Sequence, residues 1–109
     1  MMGNRSIQEA KSFEQLQDLI REGVVLVDYG APWCPPCRVL LPILEELSAS
    51  QAGQSRIVSV NCDNLPDAAS AAGVMGMPTV VVYKDGEPMD KLVGLRPISA
   101  YQQAIARQL

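Results

Sequence analysis

Val24-Val25-Leu26-Val27-Asp28-Tyr29-Gly30-Ala31-Pro32-Trp33-Cys34-Pro35-Pro36-Cys37 is the stretch that decides the fold. Val24 to Tyr29 is β-branched and nearly all apolar, the pattern of a strand buried on both faces, with Asp28 the one charged intruder. Gly30-Ala31-Pro32 breaks the strand. From about Cys34 to Ala49, Val39, Leu40, Ile43, Leu44 and Leu47 then fall on one helical face. Pro42 lies inside this helix and predicts a bend. A buried strand that gives way to a long helix, with two cysteines at the junction, points to an α/β architecture.

Reading outward, Ser12-Phe13-Glu14-Gln15 makes a capping box for a first helix carrying Phe13, Leu16, Leu19 and Ile20, up to Gly23. Arg56 to Cys62 is a second strand, and Pro66-Asp67 opens a short alanine-rich helix that ends near Gly73. Val80 to Tyr83 is a third strand, and Lys84-Asp85-Gly86-Glu87 turns the chain into Pro88 to Val93. Pro97 begins a last helix with Ile98, Tyr101, Ala104, Ile105 and Leu109. The order is helix, strand, helix, strand, helix, strand, strand, helix. It implies a central mixed β-sheet with helices on both faces, in a single domain over residues 1–109.

Composition narrows the chemistry. The 109 residues include 48% hydrophobic and 19% charged side chains, as in a globular protein able to bury a core. There is no histidine, which removes Ser-His-Asp and Cys-His nucleophile pairs and every imidazole metal site. Twelve acidic against nine basic residues, with no basic cluster, leave no electrostatic footprint for nucleic acid or anionic membrane. Three cysteines are too few for a disulfide-stapled scaffold. No signal-type segment or run of about eighteen apolar residues occurs, so the chain reads as cytoplasmic.

Cys34-Pro35-Pro36-Cys37 carries the chemistry. A CxxC pair in a one-domain chain with a βαβ pattern reads as a dithiol redox site. With Cys34 capping the helix, Cys37 lies one turn on, and the two sulfurs are close enough to bond. Free backbone amides and the positive end of the helix dipole favour the Cys34 thiolate, making it the attacking group. Alternative readings are two buried structural cysteines, half of a zinc site, or a cluster bridging two molecules; the zinc site wants four ligands, and only Cys62 remains to supply one. Cys62 itself reads as a small buried hydrophobe.

These residues resemble the active-site segment of the thioredoxin family, and the resemblance continues through Pro42, Gly76-Met77-Pro78-Thr79, Lys84-Asp85-Gly86 and Val93-Gly94, covering about Phe13 to Leu109. It implies the thioredoxin fold and a protein-disulfide reductase cycling between dithiol and disulfide, with Cys34 as nucleophile and Cys37 as resolving cysteine. Pro78 matches the family's cis-proline, with the Met77 backbone presented to an extended substrate segment. Asp28 matches the buried carboxylate that exchanges a proton with Cys37, its pKa raised by burial; the bland alternative is a merely satisfied polar residue. Trp33 matches the aromatic that shelters the site.

Met75 and Met77 then border the cysteines as an adaptable apolar docking surface with Trp33, and Gly94 lies in a region the family's substrate surface uses. Core filling by Met75, Met77 and Met89, and close backbone approach at Gly94, are the competing readings. The resemblance further implies no bound cofactor, no metal, a monomer, protein disulfides as substrates, and electrons from a flavin-containing thioredoxin reductase that uses NADPH.

Departures from the family pattern fall around the dithiol. Pro35-Pro36 stands where Gly-Pro is usual, so one amide near Cys34 is lost, the loop stiffens, and a shifted potential with an atypical partner set is expected. Ser59 replaces a lysine beside Asp28, which pushes that carboxyl further up. Gly30 stands where a bulky aromatic is common, and Pro32 adds to the altered packing around Trp33. Two other functions remain open: a more oxidising or dedicated electron donor, and a noncatalytic binding module on the same fold.

Overall fold

A computed structural model describes residues 7–50 and 53–109. The chain runs through β1 (Ile7–Glu9), α1 (Phe13–Ile20), β2 (Val24–Gly30), α2 (Pro35–Ser50), β3 (Arg56–Asn61), α3 (Pro66–Ala71), β4 (Thr79–Lys84), β5 (Glu87–Val93) and α4 (Ile98–Ala106). The five strands form one sheet in the order β1-β3-β2-β4-β5. β1 and β2 pair with β3 in parallel, while β4 is antiparallel to both β2 and β5.

β2 is buried along its whole length because it occupies the centre of the sheet with helices above and below. Its side chains alternate between two cores. On one face Leu26 meets Leu40, Leu44 and Leu47 of α2 and Tyr101, Ala104 and Ile105 of α4. On the other, Val25, Val27 and Tyr29 pack with Leu16 of α1 and Ala68 of α3. Asp28 shares the parity of Leu26 and so lies on the α2 side of the sheet, the side that carries the CxxC helix. The Tyr29 and Tyr83 hydroxyls, 2.8 Å apart, satisfy each other on the opposite face.

Local chemistry sets the element ends. Ser12 caps α1 by accepting from the Gln15 amide at 3.0 Å. The return contact of the capping box is displaced by one residue, since Gln15 Oε1 accepts from the Lys11 amide at 2.6 Å and not from Ser12. At the far end of the sheet, the Asp85 amide donates to the Gly23 carbonyl at 2.9 Å, and the Gly23 amide donates to Asp85 Oδ1 at 2.8 Å. This reciprocal pair ties the α1–β2 turn to the β4–β5 hairpin and holds Asp85 at φ 50°.

The sequence reading omits β1, an edge strand of three residues that is mostly exposed and too short to display a period. The other eight elements stand in the expected order. α4 starts at Ile98, with Pro97 as its extended N-cap and not its first helical residue. α2 continues through Pro42 to Ser50.

Candidate active site

The sheet delivers Cys34 and Cys37 to one place by ending β2 at Gly30 and starting α2 at Pro35. The Cys34 carbonyl accepts the first helical hydrogen bond, from Arg38 at 3.2 Å, so Cys34 stands where an N-cap stands. The two cysteines are joined as a disulfide, their Cα atoms 5.2 Å apart. Pro35 and Pro36 occupy the first two helical positions and have no amide to offer. The Cys37 amide donates to Cys34 Sγ at 3.3 Å.

Facing the disulfide from β4's approach, the Met77–Pro78 peptide is cis, and the Met77 carbonyl oxygen lies 3.9 Å from Cys34 Sγ. Met77 packs in a small cluster with Ala31, Cys34 and Cys37. The loop is braced by the Gly94 amide, which donates to the Pro78 carbonyl at 2.8 Å, and by the Thr79 hydroxyl, which donates to the Gly76 carbonyl. Gly94 has φ 83° and open space around it, so the close approach considered at this position does not occur; its backbone conformation is what calls for glycine.

Asp28 is 93% buried by the 7% exposure of the residue, and its Oδ1 has no hydrogen-bond partner among the described residues. Desolvation raises its pKa from 3.8 to about 7. Its neighbour across β3 is Ser59, whose other cross-strand neighbour is Glu9. No cation shares that register row. A Cβ placed on Gly30 would lie 3.1 Å from Cys37 Sγ and 3.7 Å from Asp28 Oδ1. An open cavity of about 210 Å³ adjoins this position, lined by Asp28, Gly30, Cys37, Ser59, Glu9 and Asn61, with Arg38 and Leu41 at its side. A larger cavity of about 560 Å³ lies on the opposite face beneath Tyr29 and Tyr83 and touches neither redox cysteine.

Trp33 is 60% exposed and is held by its indole N–H, which donates to Asp63 Oδ2 at 2.8 Å. Asp63 is a site residue that sequence reasoning missed. Its one signal is the Asn61-Cys62-Asp63 turn after β3, in which Asn61 Oδ1 accepts from the Asp63 amide at 3.0 Å. Met75 is 98% exposed and Met89 is 51% exposed, so neither fills the core. Cys62 is half-buried against the α1–α3 core, less enclosed than the expected buried hydrophobe. Burial, followed by the charges of Asp28 and Asp63, pushes its thiol up and keeps it protonated near neutrality.

A cysteine pair that closes a disulfide at a strand-to-helix junction, against a cis-proline loop and over a buried carboxyl, is the equipment of a thiol-disulfide oxidoreductase. The sequence profile of the thioredoxin family matches residues 5–107, and the chain belongs to that family. It is 42% identical over 92 residues to the thioredoxin of Staphylococcus saprophyticus, covering 84% of this chain and 88% of that protein. Among solved structures, Malassezia sympodialis thioredoxin superimposes with a TM-score of 0.85 at 34% identity, over 94% of this chain and 90% of that one. Oxidised mitochondrial thioredoxin 3 of Saccharomyces cerevisiae superimposes with a TM-score of 0.87 at 29% identity, over 96% and 98%. The protein is accordingly a thiol-disulfide oxidoreductase of the protein-disulfide reductase type, built on the thioredoxin fold.

Proposed function

We propose that the chain reduces protein disulfides with Cys34 as nucleophile, Cys37 as resolving cysteine and Asp28 as the proton carrier. The observation that carries this assignment is the Cys37 amide pointing at Cys34 Sγ at 3.3 Å, while the raised carboxyl of Asp28 lies beside Cys37 across the Gly30 gap. The first position favours a thiolate on Cys34; the second supplies a base for Cys37.

In the reductive direction the Cys34 thiolate attacks one sulfur of the substrate. A Cys34–substrate bond forms, the substrate S–S bond breaks, and the departing thiolate takes a proton from solvent. Asp28 then accepts the Cys37 proton, and the Cys37 thiolate attacks Cys34 Sγ. The Cys34–Cys37 bond closes, and the second substrate thiolate leaves and is protonated. Two electrons pass to the substrate and one disulfide is made for each disulfide broken.

Met77 and Pro78 offer backbone to an extended substrate segment, and Trp33, Met75 and the Gly94 turn surround it; the exposure of Trp33 and Met75 supports this docking role. Electrons return from a flavin-containing thioredoxin reductase that uses NADPH. The chain works as a monomeric single domain in the cytoplasm. No described helix is long and apolar enough to cross a membrane, and both cysteines, Asp28 and the Met77-Pro78 loop belong to one copy.

Insulin reduction with dithiothreitol tests the assignment. Cys34→Ser should abolish it, and Cys37→Ser should instead accumulate mixed disulfides through Cys34. Full insulin reduction by Cys34→Ser refutes the nucleophile assignment. Pro35 and Pro36 at the start of α2 have no amide to direct at Cys34 Sγ, which accepts from the Cys37 amide, an observation that favours a second reading, a thioredoxin-like electron donor of shifted potential dedicated to one partner. A dithiol redox titration separates the two readings, since the potential sets the direction of electron flow.

A further inference from the structure

On the face of the sheet away from the dithiol, the cavity of about 560 Å³ falls within the range of about 300–1,000 Å³ that small-molecule sites occupy. Phe13, Leu16 and Ile20 of α1 line it, and from α3 come only Ala68, Ala71 and Ala72, whose small side chains leave the volume unfilled. Tyr29 and Tyr83 line it too, and both residues are more than nine-tenths buried. Their phenols carry two O–H donors between them and share one hydrogen bond of 2.8 Å, so one O–H has no acceptor among the described residues. Burial pushes both phenols up, which keeps them protonated near neutrality. A buried hydroxyl without an acceptor costs free energy that a ligand supplying one recovers. The rim carries charge. Among the described residues lining the cavity Lys91 is the only cation, and its Nζ reaches from β5 to the Gly73 carbonyl beyond the end of α3, at 3.4 Å. Asp90, the only acid lining it, is already engaged: Oδ1 accepts from the Lys91 amide at 3.0 Å, and Oδ2 accepts from the Arg107 guanidinium.

We propose that this cavity binds an aromatic carboxylate that bears a hydrogen-bond acceptor opposite its acid group. The acceptor takes the spare O–H of the tyrosine pair, the ring lies between α1 and the alanines of α3, and the carboxylate meets the Lys91 ammonium at the mouth. An aromatic body suits the walls, since Phe13, Tyr29 and Tyr83, three of the chain's five aromatic side chains, line the space and offer a ring edge-to-face contacts. The two ends discriminate separately. A neutral ketone forgoes Lys91, and an acid with an alkyl tail leaves the phenol O–H unpaired. The site touches neither redox cysteine and stands apart from the reductase reading.

Amide chemical-shift titration of the oxidised full-length chain tests the site with two probes: 4-acetylbenzoate, and 4-isopropylbenzoate, which is close to it in shape and charge and lacks the acceptor. The ketone should bind with a Kd of about 1 mM or tighter and shift the amides of α1 and α3 around the cavity. Ala72→Phe, which fills the cavity from α3, should abolish that binding while the chain still unfolds cooperatively. Tyr29→Phe combined with Tyr83→Phe removes both hydroxyls together and leaves no orphaned partner; it should reduce the preference for the ketone over the isopropyl acid about ten-fold. Lys91→Gln should weaken both acids about five-fold and leave the affinity for acetophenone unchanged. Absence of a saturable shift in wild type at concentrations ten times higher, binding that survives Ala72→Phe, or a ketone preference unchanged in the double variant overturns the proposal.

Discussion

Replacing Asp28 by Asn should stabilise the oxidised protein at alkaline pH and do little at acid pH. In the folded chain the carboxyl is raised from 3.8 to about 7 by burial. It therefore holds its proton across a range in which the unfolded chain has already released it. Stability contributed by this group is complete below about pH 4, declines as the pH rises towards 7, and stays low above that. A displacement of about three pH units corresponds to about 4 kcal/mol, at about 1.36 kcal/mol for each unit. Roughly 3 kcal/mol of it falls between pH 4.5 and 8.5. Guanidinium unfolding of wild type and Asp28→Asn, both with the disulfide closed, should be compared at those two values. Any fixed effect of packing the amide cancels in the difference, as does the titration of every other acid. The variant should gain about 3 kcal/mol on wild type from the lower to the higher pH. A gap that is equal at both pH values would refute the claim that Asp28 is held out of water with no compensating partner.

Four further outcomes follow from the same geometry. Ser59→Lys puts a cation in the register row of Asp28 and should lower its pKa by about 1–2 units, read from the carboxyl infrared band; a midpoint left near 7 contradicts the placement. Pro36→Ala introduces an amide at the second helical position and should lower the Cys34 thiol pKa by about one unit in thiolate ultraviolet absorbance, whereas no change would mean that this amide does not reach the sulfur. Met75→Ser, at a side chain that is 98% exposed, should leave the unfolding free energy within about 0.5 kcal/mol while raising KM for insulin about five-fold; an unchanged KM removes Met75 from the docking surface. Leu44→Ala, at a fully buried position of α2, should cost about 2–5 kcal/mol in chemical denaturation, and a smaller loss would mean that the α2–α4 core collapses around the gap.

What could be read from the chain depended on how many residues shared a pattern. β2 and α2 were legible because five apolar strand residues and the helical face of Leu40, Ile43, Leu44 and Leu47 say the same thing, although Val39, read onto that face, is exposed, and Asp28 stood out against that apolar background. Cys34 and Cys37 were legible because their three-residue spacing already describes one helical turn. β1 was not, since three mostly exposed residues carry no period and are ordered by pairing with β3. Asp63 was hidden for a different reason: its value lies in a hydrogen bond to Trp33, thirty positions away. The Gly30 cavity could be suspected as a missing aromatic, yet its consequence for Cys37 needed the packing of α2 over β2. Met89 looked like core material by residue type and is exposed because its strand lies at the sheet's edge.

The disulfide bridges positions whose Cα atoms, 5.2 Å apart, are already set within bonding range by the start of α2. Opening the bond therefore asks the two sulfurs to separate without asking β2 or α2 to move. A partner that distinguishes the charged carrier from the spent one gains little from contour. On the roles proposed above, the signal available to it is electrical: a thiolate at the helix start in one state and none in the other, with Asp28 answering by a proton. By that proposal the record of whether electrons are aboard is written in charge, and the fold is the constant page beneath it.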